Sequence, residues 1–98
     1  REGKLENEYD ILMLNGSSVA IIEIKYRAHQ NSLAALATKK VQDFRALHPD
    51  YAKHKIYLGI ASLSFNKAVI AEARALGIGI LKHKGNVIEC DTDHIRAY

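Results

Sequence analysis

A carboxylate and an ammonium group interrupt an apolar stretch near the start of the chain. Glu23 and Lys25 are separated only by Ile24, within a strand predicted over Val19–Tyr26 that is rich in β-branched residues. Side chains two residues apart on a strand point to the same face, so Glu23 and Lys25 are expected to project together. A Glu-x-Lys pair on a strand is often only a structural ion pair, so it indicates a reaction site only if another functional residue lies beside it.

The further residue is Asp10, near the start of the preceding apolar strand, Tyr9–Leu14. Between the two strands stands Asn15-Gly16-Ser17-Ser18, a strong turn signal. The two strands are therefore predicted to form an antiparallel hairpin, and its register decides where Asp10 lies.

Three registers of the hairpin are open. A four-residue loop pairs Leu14 with Val19, and counting outward from that pair puts Asp10 opposite Glu23. A two-residue turn at positions 15 and 16 puts Asp10 opposite Ile21, diagonal to Glu23. A three-residue loop moves Asp10 to the other face. Two of the three registers bring both carboxylates to one face, close enough to share one ion.

Two carboxylates on neighbouring buried strands repel each other unless a cation or a proton lies between them. Mg²⁺ prefers oxygen ligands and takes one or two carboxylates together with water and substrate phosphate. The candidate metal ligands are Asp10, Glu23 and the backbone carbonyl of Ile24. A metal there would activate water and neutralise phosphate charge, and Lys25 could steady the hydroxide or the transition state. The cluster predicts phosphodiester hydrolysis with Mg²⁺, for which Mn²⁺ would substitute.

A helix predicted over Ser32–Leu47 adds a fourth candidate, Lys40. This lysine falls near the middle of an apolar stripe, where a charge is costly unless it reaches a partner. Either its amine extends to solvent, or it points over the sheet toward Asp10 and Glu23 or toward a bound phosphate. The stripe consists of Leu33, Leu36, Ala37, Val41, Phe44 and Leu47.

The remaining pattern predicts an α/β fold at the border of α+β, in the order β-β-α-β-α-β-β. A mixed sheet with helices on its faces follows from this order. The later elements are a strand over Lys55–Ser62, a helix over Phe65–Leu76 capped by Ser64 and closed by Gly77, strands over Ile78–His83 and Asn86–Cys90, and a single helical turn over Asp93–Tyr98.

Composition limits the function classes. The chain has 98 residues, 48% hydrophobic and 26% charged, as expected for one globular domain. Its apolar runs, such as Val19–Ile22, are too short for a membrane span. The single cysteine, Cys90, fits a reducing compartment, so a cytoplasmic location is expected. The net charge of +3 is compatible with a polyanionic partner without requiring one.

Tyr9-Asp10-Ile11, the Asn-Gly turn and Ile22-Glu23-Ile24-Lys25 resemble the PD-(D/E)XK nuclease superfamily. This is the restriction-endonuclease-like fold, also found in archaeal Holliday-junction resolvases. The later part, from Ile56-Tyr57-Leu58-Gly59 to Ile78-Gly79-Ile80-Leu81, resembles uncharacterised prokaryotic branches of that group. The resemblance implies that Asp10 and Glu23 bind Mg²⁺, that Lys25 serves catalysis and that Lys40 completes the site.

The resemblance also implies a single nuclease-like domain over residues 1–98. The family's upstream helix, which contributes a further glutamate, is not among the nine residues before Asp10. DNA is the expected partner, with RNA as the other candidate and a homodimer as a possible state; no membrane partner is expected. Tyr26, Arg27 and His29 follow the active strand and are candidates for contacting nucleic acid. Two rival interpretations remain, a non-catalytic nucleic-acid-binding or assembly module and structural ion pairs in an unrelated α/β interaction domain.

Overall fold

Five strands form one mixed sheet in which spatial order follows chain order. A computed structural model describes residues 11–98, apart from the side chains of residues 30–32. β2 to β4 run parallel, whereas β1 and β5 are antiparallel to their neighbours. The predicted mixed α/β class and the predicted order of strands and helices along the chain are confirmed for residues 11–98. The strands are β1 (Ile11–Asn15), β2 (Ser18–Lys25), β3 (Lys55–Ser62), β4 (Gly79–Lys84) and β5 (Val87–Asp91).

The β1–β2 hairpin adopts the register in which Leu14 pairs with Val19. Asn15 and Ser18 also pair, so only positions 16 and 17 remain in the turn, where Gly16 has a φ of 57°. Two-residue hairpin turns whose twist matches that of the strands require a positive φ, and glycine adopts this left-handed conformation without steric cost. The first described pair of the ladder is Ile11 with Ile22. Asp10 lies outside the described residues.

The helix predicted over Ser32–Leu47 is longer at its start and interrupted in its middle. It consists of α1 (Gln30–Ala35), a π-helical turn (Leu36–Lys40) and α2 (Val41–Leu47). Hydrogen bonds of a π turn reach five residues along the chain, and Leu36 and Val41, five apart, are both buried, at 1% and 9% exposure. Val41 thus takes the central position predicted for Lys40, and Lys40 lies at the margin of the apolar face.

All the described helices pack on one face of the sheet. A single core joins β2 to β4 with these helices and with α3 (Lys67–Leu76). Within residues 11–98, the prediction that helices lie on the faces of the sheet is therefore met on one face and not on the other. On the other face Met13, Ile24 and Ile88 are each more than half exposed. No helix within residues 11–98 is long and apolar enough to cross a bilayer. The largest fully buried side chains are Phe44, Ile21, Leu33, Leu36, Ile56, Ile60, Ile78, Val19 and Val69.

The start of α3 differs from the prediction. Asn66, and not Ser64, is the N-cap, because its Oδ1 accepts a hydrogen bond from the backbone N–H of Val69 at 2.8 Å. Ser64 instead donates its backbone N–H to the hydroxyl of Ser62. At the other end Gly77 has a φ of 75° and closes the helix as predicted.

The C-terminal tail is not the predicted helical turn. Tyr98 exchanges two backbone hydrogen bonds with Ile56, at 2.7 and 3.2 Å. β4 joins β3 only from Gly59 onward, so the first half of β3 offers free hydrogen-bonding groups that Tyr98 satisfies. Arg45 on α2 donates to the carbonyl oxygens of Tyr98 and His54, at 2.7 and 3.2 Å, and secures the tail.

Because one face of the sheet is buried and the other is exposed, the same Ile→Val substitution should lower the free energy of unfolding by different amounts at buried and exposed positions. Ile60→Val removes a methylene at a fully buried position of β3 and should lower the free energy of unfolding by roughly 0.5–1.5 kcal/mol. Ile88→Val, the matched control on β5, changes a side chain that is 59% exposed and should stay within about 0.5 kcal/mol of the parent. Urea denaturation measures both. Equal costs would contradict the one-sided core.

Candidate functional site

Glu23 and Lys25 lie at the end of β2 on the face that the helices cover. They continue the row of Val19 and Ile21, which are 0% and 1% exposed. Exposure rises toward the end of the strand, to 16% for the Glu23 side chain and 39% for that of Lys25. The two charged side chains therefore share one face, as parity predicted, at the boundary between core and solvent.

Each oxygen of the Glu23 carboxylate has a lysine beside it. The Nζ of Lys25 lies 3.6 Å from Oε1, and the Nζ of Lys40 lies 3.3 Å from Oε2. The Lys40 side chain is 18% exposed, so one carboxylate and one ammonium of this trio are largely withdrawn from water. The cluster of Glu23, Lys25 and Lys40, here called the Glu23 cluster, carries a formal charge of +1.

Lys40 reaches the cluster from the margin of the helical face. The π turn places Leu36 and Val41 in the core on either side of it in sequence, so its stem begins beside apolar residues and its amine extends to the sheet. The alternative in which the amine extends to solvent does not hold, because its Nζ lies at Glu23. Lys39, the next residue back, is 76% exposed and pairs with Asp43 instead.

The oxygen donors of the described site suit a hard cation but do not form a complete ligand set. Within residues 11–98 no group of three or more His, Cys, Asp or Glu residues is arranged to hold a metal ion. Glu23 supplies one carboxylate, a ligand type that Mg²⁺ accepts together with water and phosphate. At Ile24 the candidate ligand is the backbone carbonyl, since the side chain is a hydrocarbon and lies on the opposite face, where it is 52% exposed. Asp10, the second predicted carboxylate, is not among the described residues.

The three candidates for contacting nucleic acid follow directly after the Glu23 cluster. Tyr26 is 78% exposed, and the side chains of Arg27 and His29 are exposed as well. Ala28 between them is buried, and its N–H donates to the carbonyl of Ser64 at 3.1 Å. This anchor holds the segment against the end of β3 while its neighbours face solvent.

Ser62 is a residue of this region that the sequence analysis assigned only to a strand. It lies opposite Lys25 on β3 and is 5% exposed. Its Oγ lies 3.2 Å from the carbonyl oxygen of Tyr26 and 3.1 Å from that of Ser64, and it also accepts the N–H of Ser64. The hydroxyl thereby joins the ends of β2 and β3 beside the cluster. A serine closing an otherwise apolar strand was the available signal.

The contact between Lys40 and Glu23 should stabilise the fold more than the shorter one between Lys39 and Asp43. Lys40→Met should lower the free energy of unfolding by roughly 1–3 kcal/mol, because it removes a charged partner from a largely buried carboxylate. Lys39→Met is the matched control, and its exposed pair at 2.7 Å should contribute less than about 1 kcal/mol. A double-mutant cycle with Glu23→Gln isolates the coupling. A coupling near zero would mean that the 3.3 Å contact does not persist in solution.

A scan of protein-family models found no family that matches the chain, and searches of curated proteins and of solved structures found no similar protein.

Proposed function

We propose that this chain is a metal-dependent nuclease that hydrolyses phosphodiester bonds, with DNA as its substrate. The observation that carries the proposal is the convergence of Lys25 and Lys40 on the two oxygens of Glu23. Glu23 and Lys25 come from one strand and Lys40 from a helix that crosses above it. A carboxylate with two ammonium groups at the edge of a core offers both a metal ligand and positive charge for a phosphate.

The energetics of buried charge support a functional role over a merely structural one. Withdrawing ions from water costs several kcal/mol for each ion, and a buried ion pair often stabilises a fold no better than apolar residues of similar volume. The Glu23 side chain is 16% exposed and that of Lys40 is 18% exposed, beside a core in which aliphatic residues would pack well. A structural ion-pair trio would gain little there, whereas a reaction site needs such charges.

Each member of the cluster has a distinct role in this proposal. Glu23, with Asp10, would hold the metal ion, which when bound supplies positive charge against the phosphate and lowers the pKa of bound water. Lys25 contacts the attacking water or the charge that develops in the transition state. Lys40 exchanges Glu23 for a phosphate oxygen of the substrate. Tyr26, which is 78% exposed just after β2, contacts the nucleic-acid backbone or stacks on a base.

A binding module without catalysis is the second candidate, and one observation favours it. The Glu23 cluster already has more positive than negative charge, and Arg27 and His29 lie exposed next to it. A basic patch of this kind is enough to attract phosphates in a salt-dependent way. The two candidates differ in what Glu23 and Lys25 contribute, and substitutions at these positions separate them.

Glu23→Gln and Asp10→Asn should each abolish Mg²⁺-dependent and Mn²⁺-dependent cleavage of DNA while the protein stays folded. Both changes keep the shape of the side chain and remove the charge that a divalent cation requires. The measurements are turnover of single-stranded and duplex DNA and calorimetric titration with Mn²⁺, which reports metal binding without any reaction.

Glu72→Gln is the matched control, since Glu72 lies on α3 and does not belong to the Glu23 cluster. It should leave both Mn²⁺ binding and cleavage within about twofold of the parent, because it removes the same charge outside the proposed site. If the parent protein bound no Mn²⁺ at millimolar concentration, even with DNA present, the nuclease proposal would be wrong. Cleavage that persisted in Glu23→Gln would remove Glu23 from the site.

Lys25→Ala distinguishes catalysis from binding. In a nuclease, Lys25 acts mainly in the transition state, so the cleavage rate should fall by roughly 10²–10³. DNA affinity, measured in Ca²⁺ to suppress cleavage, should change by only a few fold. In a binding module the same substitution would weaken affinity and lower its salt dependence by about one phosphate contact.

The control for Lys25→Ala is Lys55→Ala, which removes a lysine from the opposite end of the same pair of strands. Lys55 begins β3 opposite Ser18, whereas Lys25 ends β2 opposite Ser62. Both variants lower the net charge equally, so any loss due to charge alone appears in both. A protein that binds DNA, cuts no substrate and loses affinity equally in the two variants is a binding module.

A further inference from the structure

β1 is an edge strand that has apolar side chains exposed on both faces. Ile11 and Met13 point to the open face of the sheet and are 39% and 52% exposed. Leu12 and Leu14 point to the helical side and are 38% and 54% exposed. Within residues 11–98 no strand pairs with the outer edge of β1. The strand therefore presents both apolar surface and a row of hydrogen-bonding backbone groups.

The two edges of the sheet differ in charge. β1 contains no charged residue and no proline, whereas β5 includes Glu89 and Asp91 and is preceded by Lys84 on its partner strand. Charged side chains on an edge discourage pairing with another chain, and an uncharged apolar edge invites it. Only the β1 edge of the described sheet has the properties of a pairing surface.

We propose that β1 pairs antiparallel with β1 of a second copy of this chain, about a two-fold axis at Met13. This register pairs all five residues of the strand, and it is self-complementary, because each Leu12 then lies opposite Leu14 of the other copy on the helical side. Met13 lies opposite its own equivalent on the open face. Directly opposite side chains in an antiparallel pair are close enough to contact, so four leucines form one cluster between the two helical layers.

A second copy suits this edge better than other occupants. The ten residues before β1 have six charged side chains, and only Leu5 and Tyr9 could cover a large apolar surface. An unrelated strand would need its own matched apolar pattern, whereas two copies of β1 bring apolar side chains together at Leu12, Met13 and Leu14, with Ile11 opposite Asn15. Five residues bury less than the roughly 800 Å² per partner of a typical stable complex. The dimer should therefore dissociate on dilution into the micromolar range.

Sedimentation of the whole chain over a wide concentration range tests the proposal, because the parent should change from monomer to dimer. Met13→Lys and Met13→Glu each place like charges opposite each other at the axis and should weaken self-association about tenfold or more. An equimolar mixture of the two variants should associate again, since lysine then faces glutamate. Hydrogen exchange of the β1 amides should slow with concentration in the parent and in the mixture, but not in either variant alone.

Ile88→Lys is the matched control, because Ile88 is 59% exposed on the opposite edge strand and should leave association unchanged. Circular dichroism verifies folding, and Leu14→Lys at a 54% exposed position provides a second disrupting variant. A parent that stays monomeric at millimolar concentration overturns the proposal and leaves this edge to another protein. Dimers that survive both Met13 substitutions overturn it as well. Glu23, Lys25 and Lys40 lie outside the β1 contact, so loss of the nuclease proposal would leave this one standing.

Discussion

The parallel pairing of β2 with β3 is the constraint on which the rest of the structure depends. Val19 and Ile21 lie beside equally buried residues of β3, and neither is more than 1% exposed. Because side chains alternate along a strand, this burial also fixes the face of Glu23 and Lys25. Turning the two charged residues to the open face would expose the whole apolar row. The apolar end of β2 thus positions the charged end.

The same core determines how the helix presents Lys40. Leu36 and Val41 are both buried, although they are five positions apart, and Phe44 further along is fully enclosed. In a regular α-helix Val41 would lie at the margin of the apolar stripe and Lys40 near its middle, whereas the π turn buries Val41. Such turns are frequent at functional sites. Here the turn moves Lys40 aside from the centre of the core to the point where it meets Glu23.

The sequence predicted those features that depend on local alternation and failed where tertiary contacts choose between near-equal options. β3 has the predicted bounds, Lys55–Ser62, and Glu23 and Lys25 share a face, because period-two burial leaves little freedom. Ser64 was predicted as the cap of α3, but Asn66, two residues later, takes this role, and the backbone N–H of Ser64 donates to Ser62 instead.

Two further misses have the same cause. The π turn follows from packing between helix and sheet, and no residue of Leu36–Lys40 signals it in isolation. The tail pairs with Ile56 because β4 begins too late to satisfy the first half of β3. Periodicity cannot reveal either feature, since the π turn depends on packing against the sheet and the tail pairing depends on where β4 begins. The sequence also did not predict that the described helices cover a single face. A continuously apolar strand has the same sequence pattern whether one or both of its faces are covered.

The charge balance of the Glu23 cluster bears on how it could act. Without a ligand, Lys25 and Lys40 each contact one oxygen of Glu23 and offset part of the cost of withdrawing its charge from water. Any cation that approaches Glu23 competes with two ammonium groups already within 3.6 Å. The cation would bind most tightly if a second carboxylate added negative charge and if a phosphate formed the contacts with Lys25 and Lys40 that Glu23 gives up. Metal and substrate would then bind with positive coupling, each removing the partner that opposes the other.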